Sequence, residues 1–164
     1  MRKFLALIAV AALLPVMVFA QFSIGPALFI KSPVLLGDVI NVDISNVNQF
    51  SAGALARLEA GVFQTEGLLL LSLGEVNSFH LFLDAGVVLD IAPVFVIFGA
   101  GPNLTNNIGS SPVFQAGLNA KAGVDLRLEN LAVGLSYIMA LNIDSGIRIT
   151  TRYGLLGAHI LFGL

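Results

Sequence analysis

The apolar segments of this chain contain few charged side chains. Within each segment, most of these charged residues lie at alternate positions, between apolar residues. The members of this set are Arg57, Glu59, Asp84, Lys121, Asp125 and Arg127, joined by the histidines His80 and His159. Opposite charges in a confined interior must pair, because an unpaired buried charge is costly. We expect Arg57 to pair with Glu59, and Lys121 to pair with Asp84 or Asp125. The set allows two interpretations: a side-chain network that fills an interior, or a narrow polar path for a small solute.

Catalytic chemistry has little support in the sequence. Gly99-Ala100-Gly101 lacks the third glycine and the lysine of a phosphate-binding loop. The two histidines could serve an acylase or deacylase only with a third partner such as Ser136, and no motif of those enzymes is recognisable. We therefore interpret His80 and His159 as hydrogen-bonding groups. The chain has no cysteine, which excludes a thiol nucleophile and a zinc ribbon, and we predict no enzyme activity, no cofactor and no metal site.

The composition indicates a membrane protein. Hydrophobic residues make up 57% of the 164 residues, charged residues make up 11%, and the mean hydropathy is +0.92. A soluble domain carries about 25% charged residues. The net charge of −2 leaves no basic patch of the kind that nucleic acid requires, so we expect no nucleic-acid partner.

The first 20 residues have the features of a secretory leader. Arg2 and Lys3 precede an unbroken apolar run over residues 4–14, and Val-Phe-Ala at residues 18–20 places small residues at the positions that a signal peptidase reads. We predict cleavage after Ala20, which leaves residues 21–164 as the mature chain. The alternative is an uncleaved N-terminal anchor, because the apolar segment approaches the length of a spanning helix.

The side-chain period predicts strands and not helices for the mature chain. The best helical candidate, residues 81–101, contains Asp84, Asp90 and Pro93 and would be a poor membrane span. From residue 114 to residue 127, apolar residues alternate strictly with polar residues and glycines. A helix would scatter the polar residues around its circumference, whereas a strand places all of them on one face.

The pattern predicts an all-β fold, a closed antiparallel transmembrane β-barrel of eight strands. A barrel must close because an open sheet in lipid would leave edge N–H and C=O groups unpaired. A ten-stranded barrel is the alternative, because Val39–Ser45 also alternates in part. The predicted strands are Phe22–Ile30, Phe50–Phe63, Leu68–Gly74, Phe79–Asp90, Val94–Gly101, Val113–Leu128, Leu131–Leu141 and Arg148–Leu164.

The connections predict the orientation. Tight turns follow the even strands at residues 64–67, 91–93 and 129–130, whereas the links after the odd strands fall at residues 31–49, 75–78, 102–112 and 142–147. Short turns at one end and longer loops at the other are typical of outer-membrane barrels.

The mature chain resembles the small outer-membrane barrels of Gram-negative-type bacteria, the superfamily that includes the membrane domain of OmpA, OmpX and OmpW. The resemblance rests on the leader, the alternation, the strand number and the last strand. Toward its end, that strand has an apolar residue at every second position, namely Leu156, Ala158, Ile160, Phe162 and Leu164. This pattern looks like the signal that the barrel-assembly machinery recognises. The chain departs from the superfamily in its terminal leucine and in its lack of tryptophan.

The resemblance implies a monomer in the bacterial outer membrane, with membrane lipid and the assembly machinery as its partners. The function expected is non-enzymatic: a barrel with a side-chain-filled lumen that supports envelope integrity or makes surface contact through loops 31–49 and 102–112. One alternative is passage of small apolar molecules in the manner of OmpW, for which inward Leu55, Phe82 and Val88 are the support. Another alternative, a lipid A-modifying enzyme, has less support.

Overall fold

The structure, a computed structural model, describes residues 20–32, 49–72, 77–108, 114–144 and 148–163. The predicted leader, apart from Ala20, and the segment Val39–Ser45 lie outside the described residues. Within the described ranges, no helix is long and apolar enough to cross a membrane.

Eight antiparallel strands form one closed barrel, in which each strand pairs with the next along the chain and the first pairs with the last. This confirms the all-β, eight-stranded prediction, and the ten-stranded alternative is wrong. Closure leaves the sheet without an edge, which is the condition for placing strands in lipid. The strands are β1 (Gln21–Ser32), β2 (Phe50–Ala60), β3 (Phe63–Ser72), β4 (Asn77–Ile91), β5 (Val94–Ile108), β6 (Phe114–Leu128), β7 (Leu131–Asp144) and β8 (Arg148–Gly163).

The two faces of each strand differ in burial as the alternation predicts. In β6, Asn119, Lys121 and Asp125 are buried, whereas Val124 and Leu126 are exposed on the outer surface. An outward row of exposed apolar side chains suits lipid, and the inward row needs partners inside the barrel.

Strand β3 begins at Phe63, five residues before the predicted start at Leu68. The turn is therefore Gly61–Val62, and the predicted turn at residues 64–67 is wrong. Gly61 has a φ of 62°, a left-handed conformation that glycine adopts without strain. The sequence was misleading because the run of leucines after Gly67 hides the parity. The earlier start brings Glu66 into the barrel interior.

Strand β5 continues through Pro102 to Ile108, so the predicted loop at residues 102–112 is wrong over its first seven residues. Proline has no N–H to donate, and the β4–β5 ladder is interrupted opposite Gly101 and Pro102. A side chain at Gly101 would collide with the Leu83 backbone carbonyl of β4. Glycine here permits the close approach of the neighbouring strand, and a strand continues across a residue that usually ends one.

Candidate functional site in the barrel interior

The inward side chains of β2, β3 and β4 are arranged in rows across the barrel, as the strand register shows. Nearest the loop end are the hydroxyls of Ser51, Ser72 and Ser78, followed by Leu70 and His80. The next row is Leu55, Leu68 and Phe82, which we call the apolar row. Below it is the charged row of Arg57, Glu66 and Asp84. The interior is therefore layered from polar to apolar to charged.

Arg57 is the centre of the charged region. Its Nε donates to Glu66 Oε1 at 2.6 Å, its Nη1 donates to Asp125 Oδ2, and its Nη1 lies 3.4 Å from Glu59 Oε1. The Arg57 side chain is 1% exposed, and those of Glu66 and Asp125 are 1% and 0% exposed. Such buried ion pairs are stable only when each charge is well hydrogen-bonded, and Arg57 meets that condition by spanning the lumen from β2 to β3 and β6.

Lys121 donates to Glu66 Oε2, so Glu66 joins two cations. The sequence suggested Asp84 or Asp125 as the partner of Lys121. Asp84 instead accepts a hydrogen bond from Asn119 Nδ2. Sequence reasoning missed Glu66 because it placed this residue in a turn. The signal was present, since Gln64, Glu66, Leu68 and Leu70 share one parity from Phe63 onward.

Arg127 lies near the turn end of the barrel, where the side chains are less buried. Its Nη2 donates to Glu59 Oε1 at 2.5 Å, and its guanidinium carbon lies 3.9 Å from the centroid of the Phe95 ring. A cation over an aromatic face is attracted by the ring electrons. Arg127 and Glu59 form a partly exposed ion pair inside the barrel, next to the buried ion pairs of Arg57.

The two histidines lie in separate clusters. His159 Nε2 is 3.0 Å from Asp125 Oδ1, which places the histidine in the charged region. His80 Nε2 is 3.0 Å from Ser78 Oγ, and its Nδ1 is 3.1 Å from both Thr105 Oγ1 and Tyr153 OH. Ser136 Oγ is buried and makes no hydrogen bond within the described part of the chain. The arrangement of both histidines with Ser136 that the sequence allowed is not formed.

Comparison with known proteins shows similarity in structure alone. No protein family matches the chain, and no curated protein is significantly similar in sequence. The N-terminal β-barrel domain of OprF from Pseudomonas aeruginosa is 15% identical and matches 88% of this chain and 99% of its own, with a TM-score of 0.61.

Two further solved barrels match. Neisserial surface protein A is 16% identical, covers 87% of this chain and 96% of its own, and has a TM-score of 0.51. Ail, the attachment invasion locus protein of Yersinia pestis, solved with the heparin analogue sucrose octasulfate, is 13% identical, covers 88% of this chain and 97% of its own, and has a TM-score of 0.50. The chain has the fold of the small outer-membrane β-barrels.

The barrel has a cavity at each end. The cavity at the turn end has a volume of about 320 Å³ and is lined by Arg57, Glu59, Arg127 and Glu129 among others. The cavity at the loop end has a volume of about 350 Å³ and includes Ser78, His80 and Tyr153 in its lining. The apolar row lies between the serines of the loop end and the charged row. Among the described residues, no group of three or more His, Cys, Asp or Glu side chains is arranged to hold a metal ion.

Proposed function

We propose that this protein is a non-enzymatic outer-membrane barrel with a lumen filled by its own side chains, and that it supports envelope integrity or makes surface contact through its loop end. The observation that carries the proposal is the pairing of Arg57 with Glu66 and Asp125 beneath the apolar row. An eight-stranded barrel has room for its side chains and little else. Charges that are already paired, covered by packed apolar groups, offer no continuous path for an ion.

The alternative of apolar passage is less well supported. Its candidate residues Leu55, Phe82 and Val88 are all buried, and Leu55 and Phe82 belong to the packed apolar cluster of the interior. Side chains that contact one another in a core form a barrier and not a lining. A lipid A-modifying enzyme would need the histidine and serine arrangement that is not formed.

The proposal includes the route and surroundings of the protein. The leader is removed after Ala20, the assembly machinery inserts the mature chain, and the barrel acts as a monomer in outer-membrane lipid. The exposed outer side chains of Leu89, Leu135 and Phe162 support contact with lipid. Mass spectrometry of the mature protein should give a first residue of Gln21, and any other first residue contradicts this cleavage site.

Single-channel recording in a planar bilayer tests the closed lumen. We expect no steady conductance from the wild-type protein. The variant Arg57→Ala should show more frequent brief openings, because it weakens the charged row without changing the barrel wall. A steady wild-type conductance that is unchanged in Arg57→Ala would show that these charges do not close the bore.

A further inference from the structure

The cavity at the loop end, which we call the rim cup, is a built polar site that the closed lumen does not require. Apart from Gln49, which directly precedes β2, its lining residues belong to six strands, β1 to β5 and β8, so rigid elements hold most of the polar groups in place. The volume of about 350 Å³ lies within the roughly 300–1,000 Å³ of small-molecule sites. The lining residues are Lys31, Gln49, Ser51, Ser72, Ser78, His80, Thr105, Asn107, Tyr153 and Leu155.

The rim cup contains hydrogen-bond donors and no carboxylate among its described lining residues. Lys31 supplies a cation, Gln49 and Asn107 supply amides, and the other polar members carry hydroxyls or an imidazole. The cavity at the turn end differs, because Glu59 and Glu129 line it beside the arginines. A lining with one cation, many neutral donors and no acid among its described residues favours a ligand that is anionic and rich in oxygen acceptors.

Hydrogen bonds order the groups on one side of the rim cup. His80 is held between Ser78 and the hydroxyls of Thr105 and Tyr153, and the rings of His80 and Tyr153 meet edge to face with centroids 5.8 Å apart. Ser51 and Ser72 share a hydrogen bond of 2.5 Å. Lys31 is exposed at the opening.

The floor of the rim cup is closed. Leu155 is buried in its lining, and the apolar row follows below the serines and His80. A molecule that enters from the loop end therefore stops at this level. The geometry favours binding and not passage.

We propose that the rim cup binds a monosaccharide unit that carries a phosphate. Lys31 forms an ion pair with the phosphate, since an ammonium group is a good point-charge partner for it. The amides and hydroxyls of the lining form hydrogen bonds with the sugar hydroxyls. The inference rests on the proposed function, because it identifies what the loop end contacts. The same chemistry occurs in a soluble sugar phosphate and in a phosphorylated sugar of lipopolysaccharide.

Titration calorimetry of the full chain in detergent micelles tests the proposal with glucose 6-phosphate, glucose and inorganic phosphate as probes. We expect glucose 6-phosphate to bind at least about tenfold more tightly than either other probe, because it makes both kinds of contact. Equal affinity for glucose 6-phosphate and inorganic phosphate would overturn the proposal.

Two matched variants locate the site. Lys31→Met should lower the affinity for glucose 6-phosphate about tenfold and leave glucose binding unchanged, since one charge-assisted contact is lost. Arg127→Met removes a cation at the other end of the barrel and should change neither affinity. Unchanged binding in Lys31→Met, or an equal loss in both variants, would refute the assignment to the rim cup.

Competition distinguishes the two sources of ligand. Displacement of glucose 6-phosphate by lipopolysaccharide, but not by phosphatase-treated lipopolysaccharide, would assign the ligand to the cell envelope. A lack of displacement by either would assign it to a soluble sugar phosphate, and both results support a phosphosugar site. Displacement by both forms alike would contradict the phosphate requirement. Because these titrations depend on neither orientation nor conductance, their failure is distinguishable from failure of the proposed function.

Discussion

Replacement of Arg57 by methionine removes the cation that contacts three carboxylates of the network. The side chains of Arg57, Glu66 and Asp125 are almost fully buried, so water cannot replace the lost contacts. Removing one partner of a buried ion pair costs about 3–5 kcal/mol. Glu66 retains Lys121 and Asp125 retains His159. We therefore expect the lower end, about 3 kcal/mol, which lowers the folding equilibrium constant roughly 100- to 200-fold.

Urea unfolding in lipid vesicles measures this loss, with the folded fraction read from the heat-modifiable band on a gel. Arg127→Met is the matched control, because it removes a cation whose side chain is 21% exposed. Because the Arg127–Glu59 pair is only partly exposed, we expect it to contribute about 1 kcal/mol, the upper end of the range for surface pairs, and the contact with Phe95 adds about 0.5–1 kcal/mol. Equal losses of unfolding free energy in the two variants, or a loss below about 1 kcal/mol for Arg57→Met, would refute the conclusion that the ion pairs of Arg57 are shielded from water.

A double variant separates the pair from its surroundings. Asp125→Asn removes the buried carboxylate that Arg57 contacts, and the double variant Arg57→Met with Asp125→Asn leaves neither charge of that pair. We expect its loss to be smaller than the sum of the two single losses by about 0.5–3 kcal/mol. If the loss of unfolding free energy in the double variant equals the sum of the two single losses, the Arg57–Asp125 contact does not contribute to stability.

Three further outcomes test the barrel wall and its orientation. Leu83→Arg places a charge on the exposed outer face near the middle of β4 and should lower the free energy of unfolding by about 2–4 kcal/mol. Ile108→Arg, at the end of β5, should lower it by only about 0–1 kcal/mol. Equal urea midpoints for the two variants would contradict the assignment of Leu83 to the middle of the membrane. Gly101→Ala should lower stability by about 1–3 kcal/mol, because its methyl group would collide with a backbone carbonyl. Gly67→Ala, which meets only a leucine side chain at 3.7 Å, should assemble normally in the same gel assay, and equal losses would rule out the steric argument. In intact cells, Ser110→Cys should react with an impermeant maleimide if the predicted orientation is right, although Ser110 itself lies outside the described residues. Protection of this variant while Asn130→Cys reacts would reverse the orientation.

Sequence reasoning predicted most strands of the barrel to within a few residues, because a side-chain period of two is readable without tertiary contacts. It failed where local residues obscured that period. The leucines after Gly67 hid the start of β3, and Pro102 suggested a loop inside β5. In both places the neighbouring strands supply the pairing that keeps the segment extended, and that pairing is not a local property.

Where the alternation is clear, the sequence by itself determined the face on which each residue lies. Alternation within each strand assigned Arg57, Lys121, Asp125 and both histidines to the polar face, and the structure places them inside the barrel. The shortage of charge, together with that alternation, also required closure, since lipid cannot satisfy open sheet edges.

Only the tertiary structure decided which inward residues meet. Glu66 joins Lys121 to Arg57, and His80 of β4 meets Tyr153 of β8, 73 positions away. The alternation specifies the face on which a side chain lies but not its position along the barrel axis. That position depends on the strand register and on the tilt that closes the barrel. Partners across the lumen are therefore set by closure, and closure is a property of all eight strands together.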